Sequence, residues 1–353
     1  MTGQSAAFLT YVRKSRHTVA VVNTNDEGTS LAFHVASSVR VIILTVLHML
    51  FRKPQCVYIS TSRSKLGAVK DLAVISIARF MAVPVVNHLH GTTFISFRKS
   101  LGMLYGSIVD WAYRYIAASI VLHESLISQY ARYPTMRVAV VNNFVDSRIA
   151  NSFDAGREIN GPTNVLFLSN MLPEKGIFEL IEAVKKLQAR ACGIIRLKIA
   201  GGFLPGAGLS SAEVEVNFLA AVAGSPEIEY FGFANVEDKH ALLDWAHVLA
   251  LPSYMKEEAV PLVLLEGMAA GCYLIVSDFG ILPEVTKGLV AAVVPARDST
   301  ALQNALSAVL ANPDLLHAAK SQNPLVARQM YSEAQYIAGI DRLIDEYGAE
   351  AGH

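Results

Sequence analysis

The chain has 353 residues, enough for two domains with separate cores, and its 52% hydrophobic and 17% charged residues exclude a disordered or collagen-like polymer. The formal net charge is zero, but residues 1–150 hold 16 Lys and Arg against 6 Asp and Glu, whereas residues 151–353 hold 14 against 24. A basic first half is the electrostatic footprint of a domain that meets phosphates or an anionic membrane face.

Taken in chain order, residues 2–6 read as a Gly-rich turn that includes Gly3 and Gln4, and residues 4–11 as a helix. Short β-branched runs then alternate with helical stretches, the pattern of repeated βαβ units and parallel sheets. Strands are predicted at residues 18–24, 56–61, 84–90, 115–122 and 137–143, and again at 164–169, 195–200, 228–231, 247–252, 273–277 and 289–294. Residues 146–163, rich in Asn, Asp, Gly and Ser, read as an interdomain connection. The predicted domains are residues 1–150 and 151–330, with a last helix in 331–353 packing back toward the first domain. Beyond Asp298 the pattern is helical, with a break at Asn312-Pro313.

Cys56, Cys192 and Cys272 show no paired spacing, so neither a disulfide framework nor a zinc site is expected and a cytoplasmic setting fits. The longest apolar stretch, residues 41–51, is shorter than the roughly 18–20 residues of a membrane span. It belongs to an apolar helix over 37–51 followed by Arg52-Lys53, and Phe97-Arg98-Lys99 opens another with Trp111, Tyr113 and Tyr115 near its end. Basic residues beside apolar and aromatic ones suit a helix lying in a lipid interface, so peripheral attachment to the cytoplasmic face of a membrane is expected.

The stretch richest in chemistry is Leu251-Pro-Ser-Tyr-Met-Lys-Glu-Glu258-Ala-Val260-Pro261-Leu262-Val263-Leu-Leu-Glu266-Gly. Proline suits a first helical turn, and the amide groups that follow it make a phosphate-sized anion site at a helix N-terminus. Glu258 and Glu266 flank that site as acceptors for vicinal hydroxyls, which suits a nucleotide sugar. Lys175 before Gly176 stands at a strand-to-helix turn, and Gly201-Gly202 permit close backbone approach. In the first half, Asn87-His88-Leu89-His90-Gly91-Thr92 ends a strand, where open α/β sheets place ligands.

These elements resemble glycosyltransferase family 4, the retaining enzymes of the GT-B fold. Glu258 and Glu266 stand in that family's E-x7-E arrangement; Ser169-Asn170 through Lys175-Gly176 is similar to its Gly-Arg-x4-Lys-Gly, and residues 276–285 to its Gly-Gly-x-Pro-Glu element. The resemblance implies an α/β fold of two Rossmann-like doubly wound parallel sheets facing across a cleft, with C-terminal helices. It further implies a nucleotide-sugar donor (UDP- or GDP-sugar) held by Asn170, Lys175, Gly201, Gly202, Phe233, Val260, Pro261, Leu262, Val263 and Glu266. His90 and Glu258 would be catalytic. Gly3, Gln4, His88, Gly91 and Thr92 would line the acceptor side for a saccharide or polyprenyl-diphosphate-linked saccharide. Asn170 replaces the family's arginine, and the family's opening central strand has no counterpart, so this chain is expected to start downstream of that strand.

No Asp-x-Asp is present, so neither a metal nor another cofactor is expected, and a helix terminus with Lys175 would neutralise the diphosphate. No nucleic-acid partner is expected, because such a module would leave the Glu258–Glu266 region idle. A catalytically silent scaffold, a phosphorylase or a sugar-nucleotide epimerase are the other classes the residues admit.

Overall fold

The computed structural model describes residues 3–22, 31–150, 153, 159, 161–190 and 194–350. The chain forms two compact units, residues 1–142 with 334–353 and residues 143–333.

In the first unit, α1 (Gly3–Lys14) and α2 (Leu31–Arg52) precede β1 (Val57–Ser60), followed by α3 (Lys65–Phe80), β2 (Val85–Leu89), α4 (Phe94–Ser100), α5 (Met103–Tyr113), β3 (Ala118–Val121) and β4 (Arg137–Val140). The strands form one parallel sheet in the order β1-β2-β3-β4. Every residue of β2 is buried, as a central parallel strand covered on both faces requires. Three expectations need correction. Residues 18–22 form no strand, because β-branched residues make one only where a neighbour takes up their backbone groups; residues 23 and 24 lie outside the described residues. Gly3 lies in the helical backbone of α1 rather than in a turn, and the helix expected over residues 4–11 runs from Gly3 to Lys14. The stretch from Phe97 to Tyr115 is split into α4 and α5 by Gly102, whose φ of 72° leaves the helical region.

The second unit contains α6 (Ser147–Ala150), β5 (Thr163–Leu168), α7 (Ile177–Gln188), β6 (Ile195–Ala200), α8 (Ser211–Val222), β7 (Ile228–Gly232), α9 (Val236–Trp245), β8 (Val248–Leu251), α10 (Leu262–Ala269), β9 (Tyr273–Ser277), α11 (Leu282–Val285), β10 (Ala291–Val294), α12 (Ser299–Ala311) and α13 (Asp314–Met330). Its parallel sheet has the order β10-β9-β8-β5-β6-β7. Strand side chains alternate between faces. Val165 and Phe167 join α7 and α12 in one core, while Leu249, in register with Leu166, packs on Gly267 of α10. The chain winds outward from β5 to β7 and then restarts at β8 on the other side of β5. The carboxyl ends of β5 and β8 are therefore the switch point at which an open α/β sheet has a crevice.

The last helix, α14 (Glu333–Glu350), returns to the first unit. Tyr11 and Ser15 of α1 donate to Asp341 Oδ1 at 2.9 and 2.7 Å. Among the described residues, no helix is long and apolar enough to cross a membrane.

Candidate active site

At the switch point, the turn after β5 meets the loop after β8. Gly176 adopts φ 76°, and a Cβ there would stand 2.3 Å from the Pro252 carbonyl oxygen. Glycine at this position lets the two loops touch. The contact brings Lys175 Nζ to 2.5 Å from Glu258 Oε2, to which Ser253 Oγ also donates at 2.9 Å. Lys175 and Glu258 are nearly buried, 12% and 11% exposed at the side chain, and Ser253 is fully buried. The ion pair compensates two charges that would otherwise be costly to desolvate. Its cation and carboxylate sit on the loops that follow the carboxyl ends of β5 and β8.

The helix that follows starts at Leu262, beside Pro261 as expected. Pro261 is its N-cap, no side chain caps it, and the first intrachain amide bond runs from Leu264 to the Pro261 carbonyl. The Leu262 and Val263 amides thus point outward from the N-terminus of α10, with the helix dipole behind them. Asn143 Nδ2 donates 2.9 Å to the buried Val260 carbonyl and fixes the approach to this turn. Deeper in α10, Glu266 is 6% exposed, and both its carboxylate oxygens accept from Lys239 Nζ of α9, at 3.0 and 3.1 Å.

Beside them, at the ends of β5 and β6, Asn170 is exposed with no hydrogen bond to its side-chain amide among the described residues. Gly201 presses on the backbone of Ser169 and Asn170, where a Cβ would fall 2.0 Å from the Ser169 oxygen. Gly202 faces open space, and Phe233, after β7, is 81% exposed. Nine of the ten residues expected at the donor lie on loops or helix starts that follow β5, β6, β7 and β8, and Glu266 lies within α10.

In the first unit, His88 and His90 share a face of β2 and stack with ring centroids 3.9 Å apart. His88 is fully buried, its Nδ1 2.6 Å from the Tyr58 hydroxyl and its ring beside Tyr336 of α14. It supports His90 from below instead of lining an accessible surface, since it lies one pleat further down the strand. His90 is 7% exposed, at the strand's carboxyl end. Burial, and after it the neighbouring Arg63 guanidinium, lower its pKa to about 4, so the imidazole is neutral at pH 7. Burial likewise pushes His88 well below the usual range. On the opposite face Asn87 donates to Thr61 and Tyr130 at 3.0 and 2.9 Å and accepts from Ser119, pinning β1, β2 and β3 together beneath the histidine turn. Gly91 is buried and Thr92 half-buried. Gly3 and Gln4 lie at the start of α1, their side chains outside the described residues.

Lys239, Ser253 and Arg63 were not anticipated as site neighbours. Lys239 lies 27 positions from Glu266 and Arg63 30 positions from Thr93, too far for local spacing to link them.

Residues 149–325, half of the chain, match the family model for glycosyl transferases group 1. The chain belongs to the group 1 glycosyl transferases. Among curated relatives of this glycosyltransferase, the D-rhamnosyltransferase WbpZ of Pseudomonas aeruginosa is 32% identical over 124 residues, 35% of this chain and 29% of that protein. The glycogen synthase of Mycobacterium tuberculosis is 28% identical over 265 residues, 72% of this chain and 60% of that protein. The chain therefore spans less than two thirds of the length of either. A solved glycosyltransferase from Rickettsia africae superposes with a TM-score of 0.69 at 15% identity, covering 93% of this chain and 84% of its own. The Anabaena protein Alr3699/HepE, in complex with UDP and glucose, does so with a TM-score of 0.68 at 16% identity, covering 96% and 89%. These similarities establish the α/β GT-B fold of the group 1 glycosyltransferase.

Proposed function

We propose that this glycosyltransferase moves a sugar, with retention of anomeric configuration and without a metal, from a UDP- or GDP-sugar to a saccharide or lipid-linked saccharide in glycan synthesis. The observation that carries the reading is the convergence of Lys175, Glu258 and the uncapped start of α10 at the sheet's switch point. In this reading the Leu262 and Val263 amides and Lys175 hold the donor diphosphate and stabilise it as it leaves. Glu266 accepts from the ribose hydroxyls, Glu258 faces the donor sugar, and Asn170 donates its amide to a phosphate oxygen where the family has an arginine. Gly201, Gly202 and Phe233 border the base. In the first unit, neutral His90 is read as the catalytic imidazole. The UDP-bound state of the Anabaena protein supports a uridine nucleotide as the first candidate. Peripheral membrane attachment of the first unit supplies a lipid-linked acceptor.

Thermal stabilisation by UDP, GDP and ADP tests the reading, with Glu266→Ala alongside. A ligand at 100 times its Kd adds about 2.7 kcal/mol. Selective stabilisation, lost in the variant, is expected; indifference of the wild type to all three would sink the donor site. A second reading, a nucleotide-binding scaffold without turnover, is favoured by Asn170 in place of arginine. Stabilisation without sugar transfer is its mark.

A further inference from the structure

The loop between β1 and α3 holds a cation that the donor reading does not use. Arg63 is half-buried and lies across the turn that follows His90: a Cβ on Gly91 would fall 2.1 Å from its Nη1 and 2.5 Å from its Cζ. Gly91 is therefore the residue that lets the guanidinium approach this backbone. Arg63 makes no ion pair among the described residues, and its one hydrogen bond there is a long one, 3.4 Å to Thr93 Oγ1.

Its loop is firmly built. Ser62 is held through its amide and hydroxyl by Asp71, at 2.8 and 3.0 Å. Ser64 caps α3 by accepting from the Gly67 amide at 3.1 Å. Gly67 packs so close that a Cβ would meet Ser62 and Ser64 under 3 Å. The two acids of the surrounding segment, residues 31–123, are already engaged. Residues 31–123 contain ten Lys and Arg but only two acids, Asp71, taken by Ser62, and Asp110, taken by Arg98 and Arg132. A partly desolvated guanidinium with no carboxylate partner among the described residues is stabilised by an anion delivered from outside, and its planar fork matches phosphate oxygens.

The rim of this loop is apolar. Tyr105 donates 2.7 Å to the Lys65 carbonyl and ties the start of α5 to that of α3. This gathers exposed Leu66, Val69, Met103 and Leu104 around a cationic loop. Such a combination suits a phosphate carried on a lipid.

We infer that Arg63, laid across Gly91 beside His90, binds a phosphate group of the acceptor, supplied by a lipid-linked rather than a soluble phosphate. This rests on the glycosyltransferase reading above and names the acceptor-side contact it lacks.

The test is equilibrium binding of farnesyl phosphate against farnesol in detergent micelles, and of glucose 6-phosphate against glucose in buffer. Wild type, Arg63→Gln and Arg63→Lys are compared with and without saturating UDP or GDP. Farnesyl phosphate is expected to bind wild type about tenfold or more tightly than farnesol. Arg63→Gln should abolish that preference and Arg63→Lys keep part of it. Gly91→Ala, which displaces the guanidinium without removing its charge, should weaken the preference in the same direction and stands in if Arg63→Gln fails to fold. A preference seen only for glucose 6-phosphate over glucose keeps the phosphate contact but overturns its lipid source. Equal binding of charged and neutral probes by wild type, or a preference surviving in Arg63→Gln, overturns the assignment. Nucleotide stabilisation is expected to persist in Arg63→Gln. Its absence in wild type would instead count against the donor site.

Discussion

Lys239 of α9 donates to both carboxylate oxygens of Glu266 in α10, although the two are 27 residues apart. Glu266 is nearly buried, so this pair neutralises a largely desolvated charge. Lys239→Ala is expected to lower stability by about 1–3 kcal/mol, because it leaves a desolvated carboxylate with one partner fewer. Urea unfolding measures it. A loss within about 0.5 kcal/mol, the ordinary range of surface changes, would mean that Glu266 finds another partner.

Gly176→Ala combines a left-handed backbone with a Cβ 2.3 Å from a carbonyl oxygen. Destabilisation by more than about 1 kcal/mol is expected, together with displacement of Lys175 from Glu258. Nucleotide stabilisation should fall even where the variant remains folded. Full stability would show that the turn relaxes without strain.

The buried histidine sets a pH dependence. The folded-state pKa of His90, about 4, lies below the unfolded value of about 6.5. The unfolded chain therefore binds the proton first, and the stability that His90 contributes is complete above pH 6.5 and lost as pH falls toward 4. The full effect is on the order of 3 kcal/mol. Asp71, pushed up to about 6 chiefly by burial, works the other way: its contribution is present below about pH 4 and lost as pH rises through 6. Unfolding free energies of wild type and His90→Gln from pH 7.5 to 4.5 separate the two. The variant should lose less stability on acidification, and parallel profiles would refute it.

Asp110 anchors the first unit by accepting from Arg98 at 2.7 and 2.6 Å, Arg132 at 2.9 Å and Tyr133 at 2.8 Å. Burial works to raise its pKa, but Arg98, Arg132 and Tyr133 outweigh it and hold the carboxyl well below the usual range. Gly106 leaves room for the Arg98 head, since a Cβ there would fall 2.0 Å from Nη1. Asp110→Asn is expected to cost about 3 kcal/mol or more by leaving Arg98 without its counter-charge. Denaturation with unchanged midpoint would show that Arg98 turns to water.

Ten of the eleven predicted strands formed, because a fully buried parallel strand is written as a short apolar run that local reading detects. Residues 18–22 carry the same composition without the outcome, since pairing depends on what lies alongside. The split at Gly102 was legible as a glycine, but whether it bends or ends a helix is decided by packing.

The sequence by itself determined the α/β class through its local period, and it pointed to the family through the resemblance carried by Glu258, Glu266 and Lys175-Gly176. Only the tertiary structure decided that Lys239 neutralises Glu266, that His88 is buried beneath His90, and that Arg63 lies on Gly91 with no ion pair among the described residues. Charge compensation and desolvation arise among groups brought together from distant parts of the chain, and no local pattern encodes them.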